Sequence, residues 1–262
     1  MTPHVTTLRV APVKALRSVR RDRVVLERQG VAEDRRLFLL DAHGAVITLR
    51  DHPQLTQVVP DLDLAEHTLS VRLPGGTVAT SELTATGEPV NTTLFGKDRS
   101  GRVVAGPVAG ALSDYVGEPV RLVLADRTGV GWDEGPVSLI GRASAEAVAA
   151  PEEPGAPPAE RFRMLVEIGG VDAYEEDSWP GRRVRLGEDV VLQVTHPLGR
   201  CVIINSSPAT GAKDWQGLKT LAALRGPDRV TLGVIATVER SGAVSVGDTV
   251  TVLSVLEETA PA

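Results

Sequence analysis

Cysteine occurs once in this chain, at Cys201. A single thiol excludes an internal disulfide framework and a CxxC zinc site, and it fits a reducing compartment. Aromatic residues make up only 3% of the chain, so the core has to be built from Val, Leu and Ala rather than from rings. A surplus of positive charge is also missing. The formal net charge is −6, which argues against a general nucleic-acid binder. No apolar run is long enough to span a bilayer. The opening MTPHVTTLRV lacks the basic-then-apolar order of a signal peptide, so the expectation is a cytoplasmic protein with no membrane span. His4, His43, His52, His67 and His196 show no metal-ligand spacing, and the glycines form no phosphate-loop motif.

What is present is a succession of short valine-rich runs separated by Gly, Pro and Asp turns. That pattern predicts many short strands, as in barrels or sandwiches. Strands are expected over 5–10, 24–27, 37–40, 69–73, 120–124, 137–140, 164–168, 183–186, 190–194, 230–238 and 244–253. Asp41-Ala42-His43-Gly44 predicts a hairpin with its return strand over 46–49. The polar stretch 84–91 reads as loop, and PEEPGAPP at 151–158 as a flexible connection. Helical spacing is seen over 107–117, with Gly117 as its stop, over 143–150, and over 215–224. The fold class is mainly β with a few short α-helices. It is expected as two barrel-like domains, 1–125 and 126–262, with a ligand cleft between them.

The stretch QVTHPLGRCVIINSSPATG at 193–211 carries the thiol. It reads as a strand broken at His196-Pro197, a turn through Leu198, Gly199 and Arg200, then Cys201, then a second strand over Val202, Ile203 and Ile204. Gly199 lets the backbone approach a ligand closely, and Arg200 favours the thiolate form of its neighbour. A lone cysteine also suits a small buried apolar position, and the residues alone leave both readings open. His196 is a candidate base for the thiol. The acidic run Asp172, Glu175, Glu176 and Asp177 reads as a solvated turn before it reads as the lining of a substrate entrance, with Trp179 packed beneath it.

Lys14, Arg35, Arg36 and Arg50 fall at the edges of neighbouring strands. Singly each is a solvated charge. Converging on one mouth, they would make an anion site, because arginine forks match phosphate oxygens.

The order of these pieces resembles the MOSC family together with the β-barrel domain that precedes MOSC in its longer members. The resemblance rests on APVKAL at 11–16, GVAEDRRLFLLDAHG at 30–44, ITLRDHPQL at 47–55, RFRMLVEI at 161–168, EEDSWPGRRVRLGE at 175–188, GRCVI at 199–203 and GDTVTVL at 247–253. It covers nearly the whole chain. Similar members include the mitochondrial amidoxime reducing component and the C-terminal domain of molybdenum cofactor sulfurase. The resemblance implies a molybdenum cofactor with Cys201 as the metal ligand. It implies Lys14 and Arg35 at the cofactor's phosphate and Arg163 from the FR motif, with Arg50, Gly199 and Arg200 as further cofactor contacts. Asp133 would be an outer-sphere or proton-handling group, or would simply cap its loop. Where such members carry polar residues, this chain has Ala15, Leu165, Ile204, Asn205, Ser207-Pro208 and Ile235.

Three functions follow from that resemblance. The first is a two-electron oxidoreductase acting on N-hydroxylated or similar small molecules. It would draw electrons from a separate donor protein of the ferredoxin or flavoprotein type. The second is a sulfur carrier using a Cys201 persulfide. The third is a non-catalytic pterin-binding protein or partner subunit.

Overall fold

A computed structural model describes residues 2–84, 87–149 and 158–253. Through the first half the strands are β1 (His4–Val10), β2 (Val19–Arg21), β3 (Arg23–Leu26), β4 (Leu37–Leu40), β5 (Val59–Asp63), β6 (Thr68–Arg72), β7 (Val78–Glu82), β8 (Pro89–Leu94) and β9 (Lys97–Val104). Helix α1 (Pro107–Val116) and strand β10 (Arg121–Ala125) follow. The second half runs β11 (Val137–Gly141), α2 (Arg142–Ala149), α3 (Pro158–Phe162), β12 (Val166–Gly169), β13 (Arg183–Leu186), β14 (Val190–Gly199), α4 (Gly217–Arg225), β15 (Thr231–Arg240), β16 (Gly242–Ser245) and β17 (Val250–Val252). The chain is therefore mainly β with short helices, as the valine-rich runs require.

An eight-stranded sheet in the order β17-β13-β14-β15-β11-β12-β1-β2 holds the second half together with the opening of the chain. Strand β1 lies antiparallel to β12, with Val5 opposite Ile168 and Leu8 opposite Val166. Among the described residues no ladder joins the two ends of this sheet. They approach through the isolated bridge His4–Thr249 and the Val5 N–H donating to the Asp248 carbonyl at 2.8 Å. A four-stranded sheet β4-β10-β9-β8 and a three-stranded sheet β5-β6-β7 complete the first half, while β3 pairs with β16.

Strand alternation sorts the core. All of β4 is buried. Leu37 and Leu39 pack with Leu55, Leu69 and Leu112, while Phe38 and Leu40 pack on the opposite face with Val90 and Val123. Successive side chains of a strand point to opposite faces, so a strand covered on both sides reads as an unbroken apolar run. In β11, Leu139 faces the main core of the large sheet, and Ile140 faces a second cluster with Phe162, Trp215 and Leu221. Helix α1 buries Val108 and Leu112, and Gly117 ends it in the left-handed conformation, donating its N–H to the Ser113 carbonyl.

Several expected elements differ. The return strand over 46–49 is reduced to one bridge, Leu40–Val46. The Asp41 carboxylate accepts the His43 and Ala45 N–H groups, closing the turn. The Asp51 carboxylate then accepts the Thr48 N–H and bends the chain away. The polar stretch expected as loop includes the start of β8, whose Val90 pairs with Gly101 of β9. Hairpin pairing there overrides composition. The strand expected over 164–168 begins only at Val166, and Arg161 and Phe162 ahead of it belong to α3. Residues 151–157 of the expected connection, and the tail beyond 253, lie outside the described residues. Among the described residues no helix is long and apolar enough to cross a membrane.

Candidate functional site

The site begins where β1 ends. Residues 11–14 run beside 35–37, with the Arg35 N–H donating to the Ala11 carbonyl, Leu37 to Pro12 and Lys14 to Leu37. The Asp34 carboxylate accepts the Ala11 N–H at 2.8 Å and pairs with the Arg35 guanidinium. This crossing aims Lys14 and Arg35 at the same space. A loop from β10 to β11 supplies the other wall. Its Gly131 lies so close to the Arg35 carbonyl that an added Cβ would fall 2.1 Å from that oxygen. The closeness lets the Gly131 carbonyl accept from Lys14 Nζ at 3.2 Å, and Lys14 also donates to Asp133 at 2.5 Å.

These charges shape one another. Burial pushes the Lys14 ammonium down to about 8; Asp133 opposes the shift, while Arg35 and Arg99 add to it. Burial by itself would raise the Asp133 carboxyl, but Lys14, Arg35 and Arg99 hold it below its ordinary value. Burial lowers Arg35, and Asp34 and Asp133 more than restore it. Arg163, just past α3, donates to the Leu16 carbonyl at 2.8 Å. Burial and the neighbouring Arg35 push it down to about 10. The cluster is thus rich in positive charge held out of water, an arrangement that an anionic ligand relieves.

The thiol arrives from the other side. Strand β14 does not break at His196-Pro197 but pairs with β15 as far as Gly199, with register shifts at Val194/His196 and Pro197/Gly199. These bulges let the ladder pass the proline and re-aim the strand end. The expected second strand is instead a 3-10 turn over Val202–Asn205, with Cys201 as its N-cap. Cys201 is a free, half-buried thiol. Arg200 does not reach toward it by hydrogen bond. Its guanidinium donates to the Phe162 carbonyl at 2.6 Å and lies 5.5 Å from that ring's centroid. Burial pushes Arg200 down to about 10, and the nearby Cys201 works the other way. Its Nε is buried with no partner among the described residues. His196 is exposed, bonds to Thr195, and does not line the cavity.

A cavity of about 320 Å³ brings the two sides together. Lys14, Arg35, Arg50, Asp133, Arg163, Gly199, Arg200 and Cys201 all line it. Arg50 is exposed and spends its guanidinium on the Phe95 ring. Arg36 does not line the cavity. Of the positions that depart from the family's polar pattern, Ala15, Leu165, Ile204 and Ile235 line the cavity as apolar wall. Asn205 and Ser207 do not; the Asn205 side chain accepts the Leu218 N–H near the start of α4, and the Ser207 hydroxyl accepts the Ala209 N–H. Sequence reasoning missed Asp34, Arg99 and Arg161. Arg99 is buried behind the site and donates to the Trp132 carbonyl. Arg161 donates to Ile204 and Asp214. No local pattern marks these residues, because the contacts that tie them to the site, Asp34 to Ala11, Arg99 to Trp132 and Arg161 to Ile204, join separate segments of the chain.

Ala15 (φ 74°), Arg35 (φ 50°), Phe95 (φ 52°) and Arg163 (φ 54°) are left-handed non-glycine residues that line this cavity. Such backbone costs of order 1–3 kcal/mol each and collects at functional sites. The expected solvated turn at 172–177 holds for Asp172 and Glu175, which are exposed, but not for its other two acids. Glu176 is fully buried, accepting the Gly141 N–H at 3.1 Å and the Ser144 hydroxyl at 2.7 Å, and Asp177 pairs with Arg225. Trp179 is buried beside it, as expected.

Residues 2–119 match the family model of the MOSC N-terminal beta barrel domain, and residues 126–251 match that of the MOSC domain. The chain is 27% identical over 262 residues to a molybdenum cofactor sulfurase of Danio rerio, with 87% of this chain aligned. It spans about a third of that relative's length (31%). Among solved structures, the YUAD protein of Bacillus subtilis is 12% identical with a TM-score of 0.48, covering 95% of this chain and 94% of that one. YiiM of Geobacillus stearothermophilus is 14% identical with a TM-score of 0.31, covering 64% of this chain and 71% of that one.

Proposed function

Since the chain belongs to the MOSC family, with that family's N-terminal β-barrel domain ahead of the MOSC domain, we propose that it binds a molybdenum cofactor through Cys201. The observation that carries this reading is the shared cavity, with a half-buried thiol and a desolvated set of cations on the walls of one 320 Å³ space. The volume falls in the range of small-molecule cofactor sites. Among the described residues no group of three or more His, Cys, Asp and Glu is arranged to hold a metal ion. A metal held here would take the Cys201 thiolate as a soft protein ligand, with the cofactor's own sulfurs supplying others.

The chain's residues have separable tasks. Cys201 would ligate through its sulfur, a soft donor. Lys14, Arg35 and Arg163 hold the phosphate end. Asp133, half exposed at 44%, keeps the Lys14 ammonium oriented. The apolar wall of Leu165, Ile204 and Ile235 keeps water from the thiol. Bound cofactor supplies two-electron oxo-transfer chemistry, suited to reducing N-hydroxylated or similar small molecules. Electrons for that reaction come from a separate donor protein of the ferredoxin or flavoprotein type.

Metal analysis of protein made in a cofactor-competent host tests this. Molybdenum approaching one per chain is expected, falling to background in Cys201→Ser and well below wild type in Lys14→Met. Wild-type protein without molybdenum sinks the reading. A second reading is favoured by the match to a protein named a sulfurase over 87% of this chain. In it, Cys201 carries a persulfide received from a cysteine desulfurase. Intact-mass measurement after incubation with such an enzyme checks it, and unchanged mass on Cys201 removes it.

A further inference from the structure

Phe95 occupies the tip of the β8–β9 hairpin. With φ 52° at Phe95 and φ 72° at Gly96, both central residues are left-handed, as a two-residue type I′ turn requires. Asn, Asp or Gly ordinarily fills the first of these positions, since a bulky side chain there is strained. Packing does not explain the phenylalanine, because its side chain is left 55% exposed. The tip is nevertheless held firmly. Lys97 Nζ donates to the carbonyls of Asp133 and Glu134, tying the hairpin to the loop that carries Asp133. The Arg50 guanidinium lies 5.0 Å from the ring centroid. Phe95 and Arg50 line the same cavity as Lys14, Arg35 and Asp133.

A strained, exposed aromatic held beside buried cations is a platform for a flat ring that carries an anion. We propose that this rim is a nucleoside-phosphate subsite, in which Phe95 and Arg50 stack the base while Lys14 and Arg35 hold the phosphate. Aromatic and guanidinium faces stack any base, and a cationic groove supplies the phosphate contacts. The subsite rests on the proposed function only in sharing the cation cluster, and it does not use the thiol. The nucleotide arrives either free or joined to the pterin through its phosphate. Base and phosphate chemistry are the same in both cases.

Calorimetric titration of the full chain, made in a host that cannot synthesise the pterin, compares guanosine monophosphate and cytidine monophosphate with inorganic phosphate. Each nucleotide is expected to bind about tenfold tighter than phosphate, the size of one base–aromatic stack. Phe95→Asn suits the turn and keeps the hairpin; it should bring the nucleotides to within about twofold of phosphate. Phe95→Tyr should restore the preference. Nucleotides binding no tighter than phosphate, or a preference that survives Phe95→Asn, overturns the proposal. A second arm takes protein from the cofactor-competent host, releases the bound pterin and looks for a nucleoside monophosphate after mild acid hydrolysis. A nucleotide found there makes the pterin its source, whereas its absence alongside binding of free nucleotide makes the free form the ligand. Molybdenum without a nucleotide preference removes this inference alone. A Phe95-dependent preference without molybdenum removes the cofactor reading alone.

Discussion

Lys14 and Asp133, 119 positions apart in the chain, meet at 2.5 Å on the wall of the cavity. The pair couples the first strand crossing to the β10–β11 loop and sets the charge that an incoming anion meets. Its consequences are measurable.

Anion affinity should fall as pH rises through about 8, where Lys14 loses its proton. Phosphate titrations between pH 6.5 and 9.5 read this directly. Lys14→Arg keeps the charge throughout and should flatten the curve. A wild-type curve already flat across that window would remove Lys14 from the binding site.

The same group leaves a stability signature of definite sign. The folded pKa of Lys14, about 8, lies below its ordinary value of 10.5. In the window between them the unfolded chain binds more protons, so stability rises with pH. Urea midpoints of wild type minus Lys14→Met should therefore increase from pH 8 to 10.5. An unchanging difference would mean that Lys14 is not desolvated.

Asp133→Asn removes both a competitor for Lys14 and the main support for its proton. Phosphate affinity at pH 6.5 should rise severalfold, while the pH midpoint of binding moves below that of wild type. A midpoint that moves upward contradicts the pairing.

Gly131→Ala places a methyl against the Arg35 backbone carbonyl, where no flexible side chain can yield. The loop must shift and carry its Lys14 contact away. Phosphate affinity should drop about tenfold, the scale of one lost charge-assisted hydrogen bond. Unchanged affinity would show that the loop position is immaterial.

Glu176→Ala strands a buried N–H of Gly141 and the hydroxyl of Ser144. Leaving such groups unpaired costs about 2–3 kcal/mol. Glu176→Gln keeps an acceptor and should lose much less. Burial already raises the Glu176 carboxyl, so the neutral amide is not penalised by its surroundings. Equal losses in the two variants, read from denaturant midpoints, would refute the hydrogen-bond account.

Legibility in the sequence followed the range of the forces involved. Strand β4 and helix α1 were readable because an unbroken apolar run and helical spacing are local and burial rewards them directly. Strand β8 was not, because PVNTTL is polar and its pairing partner is a hairpin away. Val202 to Ile204 has the composition of a strand, yet no neighbour offers it a ladder, and it closes into a 3-10 turn. Glu176 looks like a solvated acid in its run of acids. Only the approach of β11 and α2 gives its carboxylate partners enough to stay buried.

By itself the sequence determined a mainly β chain, one thiol and a supply of cations near strand ends, since periodicity and residue chemistry are properties of short stretches. The tertiary structure decided which charges serve the cavity. It turned Lys14, Arg35 and Arg163 inward, sent Arg50 to the Phe95 ring and Asn205 toward the start of α4, and left Arg36 off the cavity. Lys14 and Arg163 find their partners more than a hundred residues away, because a charge remains buried only where folding delivers its counter-charge or its hydrogen-bond acceptor.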